Sequence, residues 1–376
     1  MPPPSLILGI ESSCDETAAA VVLSGRHVLS NVIASQNDLH AEYRGVVPEI
    51  ASRAHAERIL PVVRRALADA NVSRADLTAI AVGNRPGLIG SLLVGTAAAK
   101  ALAWSLAIPI IGVDHVHAHL LAGLLRGSGV PPESSEPLPL SQSTGKMPMP
   151  PTTFPALGLV VSGGHTSLYL CHSTVLVCRI GATIDDAVGE AYDKVATVLG
   201  LPFPGGPNLD KLARTGHAHS PGFPIARISP DSLDFSFSGL KTAALYAFRG
   251  VPESDRTRAK HAARNDPPQI LLSAPDVAAT FQQAAIAAVL LKLERAMHRY
   301  PDCQTLLVGG GVSANTLLRD RLANLCAARA INLHLPPMPF CLDNGAMIAA
   351  LGHDLLADRA NIGDPLAMTA TPTTTF

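Results

Sequence analysis

The sequence predicts an α/β protein built from two related halves, and three observations carry that prediction. Short aliphatic runs alternate with stretches of helical spacing, the pattern of strands packed beneath helices. A unit of strand, small polar loop and strand opens the chain at 6–23 and recurs at 156–171. Hydrophobic residues make up 47% of the 376 residues and charged residues only 16%, which is ample for a sizeable core and too little charge for a disordered chain. At roughly 150 residues per domain, the length points to two lobes rather than one.

The elements follow in order. Leu6 to Ile10 is a buried strand, Glu11-Ser-Ser-Cys-Asp-Glu-Thr17 a polar turn, and Ala18 to Leu23 a second strand. The opening Met1-Pro-Pro-Pro-Ser lacks the basic region of a secretory signal, so this segment is expected to be structural. From Ala54 to Ala70, Ile59, Val62, Val63, Ala66 and Leu67 fall on one helical face. Leu77 to Val82 reads as a strand closing on Gly83-Asn-Arg-Pro-Gly87, followed by a helix from about Ser91 to Leu106 and a strand from Pro109 to Val113. The apolar stretch Ala101 to Val113 is broken by Pro109 and falls short of the roughly 20 residues a membrane helix needs, so no membrane association is expected.

Composition turns to Pro, Ser, Thr and Gly from Arg126 to Pro155, which predicts a linker or surface insertion between a lobe at 1–125 and a lobe at 156–376. Val251 to Pro275, with Arg256, Arg258, Lys260 and Arg264, reads as a second, solvated insertion, with an RNA-touching loop as the alternative. A helix from Asp276 to His298, a strand from Thr305 to Val308, the loop Gly309 to Asn315 and a helix through Ala328 complete the second lobe. Lys and Arg number 29 against 30 Asp and Glu, which excludes a globally basic nucleic-acid binder but leaves a local basic face open. The six cysteines form no C-x-x-C pair and read as reduced thiols of a cytoplasmic protein.

Three glycine-bearing loops let backbone N–H groups approach phosphate oxygens: Gly9 to Thr17, Ser162 to Thr166 and Gly309 to Asn315. Each alone is compatible with a mere strand end; together, with two at equivalent places in repeated halves, they suggest a nucleotide in an interlobe cleft. None is a P-loop or a dinucleotide fingerprint. His115 and His119, four apart, share one helical face and suit a divalent metal, although a plain polar helix face has the same spacing, and His117 points away. Asp343, just before an apolar helical run, is the candidate third ligand; its other reading is a helix N-cap. Val116 stands where a zinc protease needs the glutamate of H-E-x-x-H. Asp185 to Lys194 concentrates acids where a helix start would favour them, and Pro204-Gly-Gly-Pro207 precedes Asp210, a carboxylate suited to ribose hydroxyls. Cys14 has no base beside it and reads as a small core residue.

Together Gly9-Ile-Glu-Ser-Ser-Cys-Asp-Glu-Thr17, His40-Ala-Glu-Tyr43, Gly45-Val-Val-Pro-Glu-Ile-Ala-Ser-Arg53, the His115 and His119 pair, Val161-Ser-Gly-Gly-His165, Gly189-Glu-Ala-Tyr-Asp-Lys194, Pro204-Gly-Gly-Pro207, Phe235-Ser-Phe-Ser-Gly-Leu-Lys241, Gly310-Gly-Val-Ser-Ala-Asn315 and Asp343-Asn344 resemble the tRNA N6-adenosine threonylcarbamoyltransferase family, in its bacterial form. The resemblance runs from about Leu6 to beyond Gly352 and departs from the family pattern at Arg44, where glycine is common, and at Leu342, where a small polar residue is usual. It implies duplicated α/β lobes of the actin/Hsp70/sugar-kinase type, with the last helices returning to the first lobe. It implies transfer of a threonylcarbamoyl group from threonylcarbamoyl-AMP to N6 of adenosine 37 in tRNAs reading codons that begin with A. By the same resemblance His115, His119 and Asp343 hold one divalent metal, iron or else zinc, while Val160, Val161, Ser162, Gly163, Gly164, Asp193, Gly206, Asp210 and Asn315 bind the adenylate. Expected partners are tRNA, a paralogous subunit and a small P-loop ATPase. No general base is assigned; Glu11 and Asp15 are named as candidate proton acceptors. The rival readings are a kinase or chaperone-type ATPase of the same fold, against which the imidazole pair argues, and a metalloendopeptidase, against which Val116 argues.

Overall fold

The computed structural model describes residues 5–127, 152–251, 271–358 and 367–373. Most of the two low-periodicity stretches, 128–151 and 252–270, lies outside the described residues. The strands are β1 (Leu6–Glu11), β2 (Glu16–Leu23), β3 (His27–Ser35), β4 (Ala79–Arg85) and β5 (Ile110–Asp114), then β6 (Ala156–Val161), β7 (Thr166–Cys171), β8 (Val177–Ala182), β9 (Thr305–Gly309) and β10 (Asn332–His334). They form two five-stranded sheets, ordered β3-β2-β1-β4-β5 and β10-β9-β6-β7-β8. Read from the opposite edge, the second order repeats the first. In each sheet an antiparallel three-strand meander is extended by two parallel strands. This is the duplicated fold of the actin/Hsp70/sugar-kinase type.

The helices are α1 (Asn37–His40), α2 (Pro48–Asp69), α3 (Ile89–Leu106), α4 (His115–Leu121), α5 (Val188–Val198), α6 (Gly205–Ala213), α7 (Ser238–Arg249), α8 (Ala274–Arg299), α9 (Thr316–Ala328) and α10 (Gly345–Asp358). Strand alternation distributes them into layers. Leu8, Ile10, Ala19, Val21, Ile80 and Val82 face α2 and α3. Their neighbours Ile7, Ala20, Val22, Ala79 and Ala81 face the opposite way, into a core shared by α4, α10 and the inner face of the second sheet at Val160, Tyr169 and Leu307. Leu157, Leu159, Val161, Leu168, Leu306 and Val308 look outward onto α5 to α9. Thus α4 and α10, remote in sequence, form one central layer between the sheets.

Two elements start earlier than their apolar periodicity indicates. Pro48 occupies the first turn of α2, where its missing N–H costs nothing, so that helix begins six residues before Ala54. Gly205 and Gly206 open α6, ahead of its first buried large apolar residue, Leu209. α3 and α8 are each long and apolar enough to cross a membrane, yet each packs on a sheet or on neighbouring helices.

Candidate metal centre and nucleotide cleft

Asp114, the last residue of β5, sets the phase of α4. Its carboxylate accepts from the Val116 and His117 amides at 2.9 and 3.1 Å, making Asp114 the N-cap and His115 the first helical residue. His119 follows one turn later, and the two buried imidazoles meet edge to face with centroids 4.7 Å apart. His119 is held close to the second sheet because Gly309 ends β9 there: a Cβ on Gly309 would lie 2.0 Å from the His119 carbonyl oxygen. The third group arrives with α10, which sits tightly on β1, since a Cβ on Gly9 would lie 2.0 Å from the Gly345 carbonyl oxygen.

Of the two readings of Asp343, the N-cap belongs to its neighbour. Asn344 Oδ1 accepts from the Met347 amide at 2.9 Å and its Nδ2 donates to the Leu342 carbonyl at 2.7 Å. Asp343 is thereby left to face the histidines, with Oδ1 3.1 Å from His119 Nε2 and 3.5 Å from His115 Nε2. One ligand atom from each of the three residues falls within a span of 4.8 Å.

Glu11, fully buried at the end of β1, turns His115 toward that point. Its Oε2 receives His115 Nδ1 at 2.9 Å and its Oε1 the Ser13 amide, so the imidazole presents Nε2 to Asp343. Both Glu11 oxygens are engaged in this way, and together they fix the orientation of the His115 ring. Burial alone would lower His115, but Asp343 and Glu11 override it and raise its pKa to about 10. Burial pushes His119 below its ordinary value, and it disfavours charge on Asp343 too, yet His115 and His119 hold that carboxyl well below the usual carboxylate range. Two imidazoles and a carboxylate, one imidazole braced from behind by a second carboxylate, are a donor set suited to a divalent transition metal.

The glycine loops divide into two kinds. Gly9 and Gly309 are packing glycines, closed to a ligand by α10 and α4. Gly163, Gly164 and Gly206 are different: a Cβ on any of them would meet nothing within 4 Å, so no packing reason requires glycine there. Val160 and Val161 are fully buried on opposite faces of β6, and Ser162 is buried at its end, so these three carry the Gly163-Gly164 loop and offer only backbone. Loop and His cluster adjoin through the end of β9, where Gly309 packs on the His119 carbonyl and Gly310 on the Val161 carbonyl; His165, at the far side of the loop, is depressed to about 4 by burial and by His115 and His119.

Asn315 caps α9 with Oδ1 accepting from the Leu318 amide at 3.0 Å, and its Nδ2 donates at 3.0 Å to both Asp210 Oδ1 and Gln282 Oε1. Asp210 Oδ2 is also paired, 2.6 Å from the Arg214 guanidinium. Asp193 Oδ1 accepts from the Gly205 and Gly206 amides at 2.9 and 3.2 Å; burial raises its pKa against those donors, and Asp15 of the first lobe adds to the rise. The acidic run from Asp185 does not begin one helix. α5 starts at Val188 with Glu190 alone in its first turn, Asp186 pairs with Lys194, and Asp185 accepts from the Phe237 and Ser238 amides at the start of α7. Cys14 is half-buried, and burial and Asp15 push its thiol well up, which fits an unreactive thiol. Gln282 and the bracing role of Glu11 escaped sequence reasoning, because each depends on partners at least 33 positions away.

The molecule thus combines a duplicated actin/Hsp70/sugar-kinase fold with a His, His, Asp cluster in its central layer and with glycines at 163, 164 and 206 that face open space. Solved structures of similar fold include HypF from T. kodakarensis, with TM-score 0.54 at 14% identity over 94% of this chain and 48% of that one. Another is full-length HypF in its phosphate- and nucleotide-bound form, with TM-score 0.50 at 14% identity over 94% of this chain and 56% of that one. The profile "TsaD: tRNA N6-adenosine threonylcarbamoyltransferase" matches residues 27–135 and 140–350. Proteins of that description from Trichlorobacter lovleyi and Sorangium cellulosum are each 46% identical, covering 98% and 92% of this chain and 96% and 90% of theirs. The chain belongs to the tRNA N6-adenosine threonylcarbamoyltransferase family and is a tRNA-modifying transferase.

Proposed function

We propose that the chain transfers a threonylcarbamoyl group from threonylcarbamoyl-AMP to N6 of adenosine 37 in tRNAs reading codons that begin with A, between lobes at 1–125 and 156–376. The observation that carries the reading is the meeting of His115, His119 and Asp343 within 4.8 Å, beside a loop whose glycines face open space. Those three residues would hold one divalent metal, iron in preference to zinc, with Glu11 fixing the His115 tautomer. Such an ion supplies Lewis acidity toward a carbonyl or phosphate oxygen. AMP is a good leaving group, so the protein's task is mainly to bind the mixed anhydride and hold its acyl carbon near the amine. Gly163, Gly164 and Gly206 let the backbone approach the adenylate, and Asp193, Asp210 and Asn315 supply polar groups to the nucleoside.

A net charge of −1 offers little of the cationic excess that drives tRNA affinity, which supports a need for partner subunits. The outer helices support a paralogous subunit: Leu60 on α2 and Ile89, Leu93 and Trp104 on α3 are exposed, Trp104 by 74%. A small P-loop ATPase and a cytoplasmic location complete the proposal. The test is His119→Ala, with bound metal by mass spectrometry, melting temperature and tRNA modification measured together in the presence of the adenylate-forming enzyme. Loss of metal and of modification with lobes still folded is the expected result; retention of both overturns the metal-assisted reading.

A further inference from the structure

We propose that Arg319 is a positioning residue that ties the Asp343 loop to the glycine loop at 310–315 and so sets the metal affinity of the site; the inference rests on the metal reading above. The segment Pro336-Pro-Met-Pro-Phe340 leading to Asp343 has three prolines and therefore lacks three backbone donors. The Phe340 and Cys341 amides close a turn on the Pro337 and Met338 carbonyls at 2.8 and 3.3 Å, but no backbone N–H of the segment reaches the Pro336 carbonyl, which takes its donors from side chains. Arg319, one turn into α9, supplies one: a guanidinium nitrogen donates to the Pro336 carbonyl at 3.1 Å and the Ser313 carbonyl at 3.0 Å, and lies 3.9 Å from Cys341 Sγ. The fully buried Cys341 thiol adds donation toward the Pro336 and Pro337 carbonyls at 3.7 Å.

The anchored thiol lies two residues before Asp343, and the Asn344 cap lies one residue after it. Asp343 is thus clamped from both sides, once from α10 and once from α9. The same α9 begins at Asn315, which holds Asp210 and Gln282, so one rigid helical turn joins the residues assigned to the adenylate with those assigned to the ion. Leu342 closes the connection, its Cδ2 lying 3.3 Å from the Cβ position of Gly311.

The experiment titrates Zn²⁺ alone into wild type, Arg319→Met, Arg319→Lys and His119→Ala by competition with a chromophoric chelator, with melting of the metal-free proteins recorded in parallel. Arg319→Met should bind Zn²⁺ about 10- to 100-fold more weakly, the usual consequence of losing an outer-shell support. Arg319→Lys, which keeps one charged donor without the planar fork, should fall between Met and wild type. A purely structural role would lower the melting temperature and leave the Zn²⁺ affinity of the folded protein unchanged. Wild-type affinity in a folded Arg319→Met, or in Arg319→Lys if the Met variant does not fold, overturns the proposal. A wild type that binds Zn²⁺ no better than His119→Ala overturns the metal reading itself, and the positioning role with it.

Discussion

Glu11→Gln isolates the bracing of the candidate metal site. The replacement is nearly isosteric, which matters because a Cβ on Gly83 would already lie 2.6 Å from Glu11 Oε2 and leaves no room for rearrangement. The carboxylate accepts twice, from His115 Nδ1 and from the Ser13 amide, whereas an amide has one oxygen and one NH₂ group. Whichever way it turns, one buried donor faces another donor as long as His115 carries its proton on Nδ1 and keeps the Nε2 lone pair that a metal requires. A hydrogen bond to a charged group is worth about 1.5–3 kcal/mol, and at about 1.4 kcal/mol per tenfold this predicts roughly 10- to 100-fold weaker metal binding. The range agrees with the usual loss when an outer-shell partner is removed. Chelator competition with Zn²⁺ measures it directly, and tRNA modification at saturating metal reports whether the affinity loss accounts for the activity loss. Wild-type affinity in Glu11→Gln would refute the claim that Glu11 orients His115. Weakly reduced affinity with abolished turnover at saturating metal would instead return Glu11 to the role of proton acceptor.

Three further substitutions test the rest of the structure. Gly206→Val places a side chain where a Cβ meets nothing, so melting should be almost unchanged while calorimetry shows loss of AMP binding; Asn315→Ala should weaken AMP several-fold by removing one amide and releasing Asp210. Unchanged affinity in both would remove these residues from the nucleotide site. Asp185→Asn should cost about 1 kcal/mol at neutral pH by weakening the start of α7. Burial works to raise the Asp185 carboxyl, but donors from Ser236, Phe237 and Ser238 hold it below its ordinary value, so its contribution is present above the unfolded pKa of about 3.9 and is lost as pH falls. Urea melts of wild type and variant should therefore converge below about pH 4; a gap that widens toward acid would contradict the assignment.

The parts of this molecule legible in its sequence are those whose physics is local. β1, β2, β6, β7 and β9 announce themselves as aliphatic runs because both faces are covered, whereas the edge strands β3 and β8 carry polar residues such as His27, Asn31 and Arg179 and give no comparable run. The His115 and His119 pair is visible because four residues make one helical turn. Asp343 is 224 positions from His119, and the sequence leaves it undecided between ligand and cap until Asn344 is seen to take the cap. Asp185 misleads for the same reason: its local context suggests α5, but the amides it satisfies lie 52 and 53 positions downstream. Glycine is the most ambiguous letter of all. Gly9 and Gly309 admit a neighbouring helix, while Gly163, Gly164 and Gly206 border empty space, and nothing in the local sequence separates the two uses. The distinction follows from the layers. Gly9 and Gly309 face the central layer and yield to α10 and α4, whereas Gly163, Gly164 and Gly206 lie outside it, where a ligand can approach the backbone.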